Sequence, residues 1–207
     1  MYSILKLPYN TNKGGVSLKK ILVILIIISL FISGCSSTLS KSSNNQDVIE
    51  SLIPEGESEM GKLTLFKKND EVEAIQESGP FTVKINKMQV SELEVGEKYK
   101  RTFFDNKDVV TIVELEVEAE NKSTETNIIP DQGTIVTNTK EQKDAHEVFS
   151  AMPDGEYIGE IISEGNVYFV LDSEAEEITS FKYVISGPID SDGNKLGEDI
   201  TFDLSFD

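Results

Sequence analysis

The chain has 207 residues, with 19 Lys and Arg against 37 Asp and Glu for a formal charge of −18, and it holds one cysteine, one histidine and no tryptophan. So acidic a surface repels phosphate backbones and anionic lipid headgroups, which argues against nucleic acid as a partner. A single cysteine cannot form an internal disulfide, and one cysteine with one histidine cannot build the usual nitrogen–sulfur zinc site.

The first element is an export signal. In "LKKILVILIIISLFISGCSS", residues 18–37, Lys19 and Lys20 precede an apolar run over 21–31 that only Ser29 interrupts. A basic start, a short apolar stretch and small residues at the end are the parts of a secretory signal. The run is well short of the roughly 20 apolar residues that a membrane-spanning helix needs. It closes on Ile32-Ser33-Gly34-Cys35, which resembles the lipobox of bacterial lipoproteins: an aliphatic residue, two small ones and a cysteine. In that family the thiol matching Cys35 receives a diacylglyceryl group and the chain is cut just before it. The resemblance therefore implies lipidation at Cys35, with Ile32, Ser33 and Gly34 read by the signal peptidase. Upstream, Lys13-Gly14-Gly15 can be encoded by a ribosome-binding sequence and Leu18 by a TTG start codon. Translation is then expected to begin at Leu18, with residues 1–17 untranslated.

Residues 1–34 carry four lysines and no acid, so the part from Cys35 onward has 15 basic against 37 acidic residues, a charge of −22. "SSTLSKSSNNQ" follows the cysteine and reads as a flexible tether. The expected division is a signal region over 1–34, a lipidated cysteine and tether over 35–60, and one domain over 61–207.

Within that domain the apolar period is two. "KLTLF" opens as a strand candidate. Phe81, Val83 and Ile85 share a face, but the next apolar residues are Met88 and Val90, a phase change that predicts a β-bulge near Asn86 or Lys87. Val113, Leu115, Val117 and Ala119 alternate with Glu114, Glu116, Glu118 and Glu120, which predicts a half-buried strand with a solvated acidic face. "GTIVTN" is a short strand, and "TKEQKDAHEVF" is the best window for a short helix. Val167, Phe169 and Leu171, then Phe181, Tyr183 and Ile185, then Ile200, Phe202, Leu204 and Phe206 complete the alternating sets. Turn residues separate them at Gly79-Pro80, Asn121-Lys122-Ser123, Pro130-Asp131-Gln132-Gly133, Asp154-Gly155, Gly187-Pro188 and Asp192-Gly193. Seven or eight strands with regular turns predict an all-β, immunoglobulin-like antiparallel β-sandwich without disulfide or tryptophan.

"FTVKINKMQV", "VVTIVELEVEAENKST", "PDQGTIVTNTKEQKDA" and "EGNVYFVLDSEAEEITSFKYVI" together resemble a class of lipoprotein domains of unknown function from Gram-positive bacteria. These are similar to the immunoglobulin-like sandwich of secreted mycobacterial immunogenic antigens. The resemblance rests on the strand ending in Asn121, the Pro130-Asp131-Gln132 turn and the strand over 165–171. It implies the fold and no activity.

Chemistry is sparse. His146 lies in a polar stretch and is expected on the surface rather than as a catalytic base. Asp190, Asp192 and Asn194 resemble the opening of a calcium loop, but Lys195 stands where an EF-hand has glycine, and a hairpin turn explains Asp192-Gly193 equally well. No pair among the many carboxylates stands out as a glycosidase pair. Tyr99 and Tyr157 sit in polar context, and Tyr168 should face away from Phe169. Phe103-Phe104, beside charged residues, is an apolar loop that offers a partner contact unless it is core. The expected protein is a non-enzymatic lipoprotein without cofactor, anchored on the extracellular face of the cell membrane, where it binds a protein or cell-wall partner. The alternative is an inhibitor or immunity lipoprotein that blocks a protease or toxin at that surface.

Overall fold

The longest strand, Phe81–Val95 (β4), organises the molecule. The computed structural model describes residues 56–206, and around β4 stand Gly56–Ser58 (β1), Gly61–Asn69 (β2), Ala74–Ser78 (β3), Val109–Asn121 (β5) and Ile161–Leu171 (β10). They form one antiparallel sheet in the order β1-β2-β4-β5-β10. On its other edge β4 is shared, with β3 along residues 81–85 and β2 along 88–95. Between the two stretches the register against β5 shifts from Ile85 to Lys87, which leaves Asn86 as the extra residue of the expected bulge. The Asn86 carbonyl accepts the N–H of Val72 from the β2–β3 connection at 3.3 Å.

The bulge decides what each face buries. Before it Phe81, Val83 and Ile85 point into the main core, and after it Met88 and Val90 do. Leu93 and Val95 thereby turn to the opposite face, beside Leu63, Val110, Ile112 and Tyr168. That outer face is apolar only in its upper half, and it is covered by a seven-residue helix, Glu97–Phe103 (α1), together with Phe104 and Phe149. A helix this short is marginal alone. Glu97 at its start and Lys100 and Arg101 at its end suit the helix dipole, and packing supplies the rest.

The main core is closed by a second sheet, Ile200–Ser205 (β13), Ser180–Ile185 (β11), Thr134–Thr137 (β7) and Gln142–Asp144 (β8), in that order. Ile135, Phe181, Tyr183, Ile185, Ile200, Phe202 and Leu204 face Val113, Leu115, Val167 and Phe169 of the first sheet. A third, small sheet of Ile189–Asp190 (β12), Thr126–Ile129 (β6) and Gly155–Ile158 (β9) stands at the side. Of β4, β5, β7, β10, β11 and β13 in chain order, the first, second and fourth share one sheet and the others the second. That is the division of strands A, B, E against C, F, G in an immunoglobulin-type sandwich. The all-β antiparallel sandwich is what the chain forms. Among the described residues no helix is long and apolar enough to cross a membrane.

Several expectations need correction. The domain reaches back to Gly56, because β1 pairs with β2 and Met60 packs on the outer cluster, so the stretch assigned as tether is shorter at that end. "TKEQKDAHEVF" holds β8 and a turn, not a helix; β8 is captured by pairing with β7. The helix lies at Glu97–Phe103 instead. Glu114, expected on a solvated face, is buried at 9% exposure. Its carboxylate accepts from Gln89 Nε2 at 2.5 Å and from the Tyr168 hydroxyl at 2.9 Å, a row across three neighbouring strands. Tyr157 is likewise buried rather than exposed.

Candidate functional site

Residues 32–35, where the sequence places the lipidation signal and Cys35, lie outside the described residues. The other sequence candidates are placed as follows.

Asp190, Asp192 and Asn194 form the hairpin turn after β12. Asp190 Oδ1 accepts the N–H of Asp192 at 2.9 Å and of Asn194 at 2.8 Å, and Oδ2 accepts Asn194 Nδ2 at 2.8 Å. The Asn194 side chain and backbone N–H together hold the Asp190 carboxyl below its ordinary value. Both carboxylate oxygens of Asp190 are thereby turned onto the loop's own donors. Among the described residues no group of three His, Cys, Asp or Glu is placed to hold a metal ion.

Phe104 is core, not a partner contact: it is 2% exposed, held over the outer face of the first sheet by α1. Phe103 is half-buried, stacked near Tyr99 and tilted 5.4 Å from Phe149. Flanking charges disguise both as loop residues in the sequence. His146 joins the same group. Its ring stacks on Phe149 at 4.1 Å and 11°. Its Nδ1 is buried without a hydrogen-bond partner among the described residues. A half-buried ring packed on a phenylalanine corrects the expected surface position.

Two surfaces that the sequence does not mark emerge from the fold. The first is a cleft of about 590 Å³ between the β6–β7 turn, the residues after β8 and the start of β9. Asp131, Asp144, Glu147 and Asp154 line it. Asp131 accepts the Ser186 N–H at 3.2 Å and Asp144 accepts the Thr134 hydroxyl at 2.6 Å, so two of the four are tied down. Their field reaches the tyrosines beneath. Burial and then the Asp154 charge push the Tyr157 hydroxyl up. Burial, Asp131 and Asp154 push Tyr183 up. These tyrosines stay neutral donors, Tyr157 to the Pro153 carbonyl and Tyr183 to that of Gln132, each at 2.7 Å. The cleft, lined by four acids, suits cationic groups.

The second is the corner between β9 and β10, where the chain crosses from the third sheet to the first. Ile158, Ile161 and Ile162 are 74%, 46% and 58% exposed there. Asn121, itself buried, clamps the corner by donating Nδ2 to the carbonyls of Gly159 at 2.9 Å and Glu125 at 3.2 Å. The one trace in the sequence is the doublet Ile161-Ile162: at a strand start it puts one isoleucine on each face, and both cannot enter one core.

No known family and no curated protein matches the sequence. Among solved structures the chain is similar to a functionally unknown protein from Listeria monocytogenes, at 12% identity and a TM-score of 0.51, over 71% of this chain and 89% of that one. That likeness is one of fold. A "putative lipoprotein" from Bacillus subtilis aligns at 17% identity and a TM-score of 0.43, over 66% of this chain and 39% of its own. A conserved hypothetical protein from Bacillus anthracis aligns at 14% identity and 0.37, over 65% and 98%.

Proposed function

We propose that this chain is a lipid-anchored protein of the extracellular face of a Gram-positive membrane, whose sandwich binds a protein or cell-wall partner without catalysing a reaction. The observation that carries the reading is Ile32-Ser33-Gly34-Cys35 directly after a basic and apolar signal. The acyl chains supply the attachment, since so acidic a domain gains nothing from anionic headgroups. What supports binding over chemistry is that the sole histidine is packed against Phe149 and is not among the lining residues of the acidic cleft. The inhibitor alternative draws less support. A protruding loop over 96–108 would serve it, whereas this segment folds down as α1, with Val95 and Gly96 tied back to Asp108 and Met60.

Fractionation of cells expressing Cys35→Ala tests the anchor. The variant is expected in the medium or as uncleaved precursor. A variant that matures and sediments with membranes like the wild type would refute the lipoprotein reading.

A further inference from the structure

The lower end of β10 is an open sheet edge. Tyr168 and Asn166 turn their backbone groups away from β5: their carbonyls accept the N–H groups of His146 at 2.8 Å and Ala151 at 2.9 Å. The β10–β5 register is continuous from Leu171 to Ile161, so Glu164 and Ile162, at the same parity, point their N–H and C=O groups the same way. Residues 146–151 cover the edge down to Asn166. The chain then turns inward at Met152, which packs beneath Gly165 and Ser163. Among the described residues no backbone group meets Ile162 or Glu164 on that side.

This bare edge coincides with the exposed isoleucines. Its rim is acidic: Glu120 lies directly across from Ile162, with Glu160 and Glu164 beside it. The nearby Lys122 is spent on Glu77 at 2.7 Å. None of the three rim carboxylates stands in an ion pair among the described residues. A second copy of the chain would set Glu160 and Glu164 against their own images, at −22 per chain. The complementary occupant is basic.

We propose that the lower end of β10 docks an extended, alternately basic and apolar segment of a partner protein, which joins the sheet as a further strand beside Ile162 and Glu164. The proposal rests on reading the domain as a binding module and names its surface. Backbone groups of Ile162 and Glu164 hold the strand, Ile161 on one face meets its apolar side chains, and the glutamates on the face of Ile162 select its basic ones.

The test uses the full lipidated chain in detergent micelles and a capped Lys-Val-Lys-Val-Lys-Val peptide as probe. Its control is the same peptide with the central valine N-methylated, which keeps charge and apolar surface but removes a strand donor. The unmodified peptide is expected to slow hydrogen exchange across 161–165 and to bind about tenfold tighter than its N-methyl form. Glu164→Lys is expected to weaken it about tenfold, and Glu147→Lys in the acidic cleft to weaken it much less. Equal binding of the two peptides, protection over 130–134 and 144–147 instead, or equal effects of the two charge reversals would overturn the proposal. So would a dimer formed through β10. Peptide binding does not depend on the lipid, so failure of the anchor shows separately, in the Cys35→Ala fractionation.

Discussion

Tyr168 and Phe169 are neighbours on β10 that point in opposite directions, and both are essentially buried. Phe169 fills the space between the sheets, edge-on to Tyr183 at 5.6 Å. Tyr168 lies under the α1 side and gives its hydroxyl to Glu114. Phe169→Ala should cost about 3–5 kcal/mol as a core truncation. Tyr168→Phe, which keeps the ring and loses the hydrogen bond to a buried carboxyl, should cost about 1–3 kcal/mol. Ile162, at the same parity as Tyr168 but beyond the apolar cover, should tolerate alanine within about 0.5 kcal/mol. Urea titrations of the purified protein check all three. A cost for Ile162→Ala near that of Phe169→Ala would mean that the corner is packed rather than exposed.

At the scale of elements, what period-two alternation marks is what forms: the strands around Val113, Phe169, Tyr183 and Phe202 and the bulge at Asn86 are all legible in the sequence, because one buried face dictates every second residue. The short elements are not. α1 is seven residues long and β8 three, and each exists because of what it packs against or pairs with. Glu114 is unreadable for the same reason, since its partners Gln89 and Tyr168 lie on neighbouring strands distant in the chain. The acidic cleft and the β9–β10 corner likewise assemble from separated segments. The bulge itself gives a sharp test. Deleting Asn86 leaves Ile85 and Met88 two positions apart, in unbroken alternation on the core face and still opposite Val117 and Leu115, so the fold should survive and the deletion should cost less than Phe169→Ala. A deletion that abolishes cooperative unfolding would contradict the assignment of Asn86 as the extra residue.

Beyond the strands, the end of β10 is tied to the elements beside it by acids. Asp172 is held below its ordinary value by hydrogen bonds from Lys107 and Lys143, against burial. Burial alone would raise the Glu141 carboxyl, but the Ser173 hydroxyl and the N–H groups of Asp172 and Ser173 outweigh it and hold it low. Groups lowered in the folded state contribute stability above their unfolded values, 3.8 and 4.5, and lose it as pH falls through the lower folded ones. Asp172→Asn should therefore lower stability at neutral pH and flatten its decline below about pH 4. An acid limb as steep as that of the wild type, in melts from pH 7 to 2.5, would count against these contacts.

For the whole molecule the governing quantity is charge. With −22 on residues 35–207, the folded state confines more mutual repulsion than the unfolded chain does. Salt screens that repulsion over roughly 8–10 Å at ordinary ionic strength, so added NaCl should raise the melting temperature. A specific calcium site would do more, because an ion bound only by the folded state stabilises it by mass action. The Asp190 turn argues for the general effect alone: both carboxylate oxygens already accept N–H groups of Asp192 and Asn194, and a cation would have to displace them. Calcium and magnesium at matched ionic strength should thus raise the melting temperature alike, and Asp192→Ala, which leaves the Asp190–Asn194 contacts in place, should respond as the wild type does. A calcium-selective rise that vanishes in Asp192→Ala would show instead that the turn opens to take a metal.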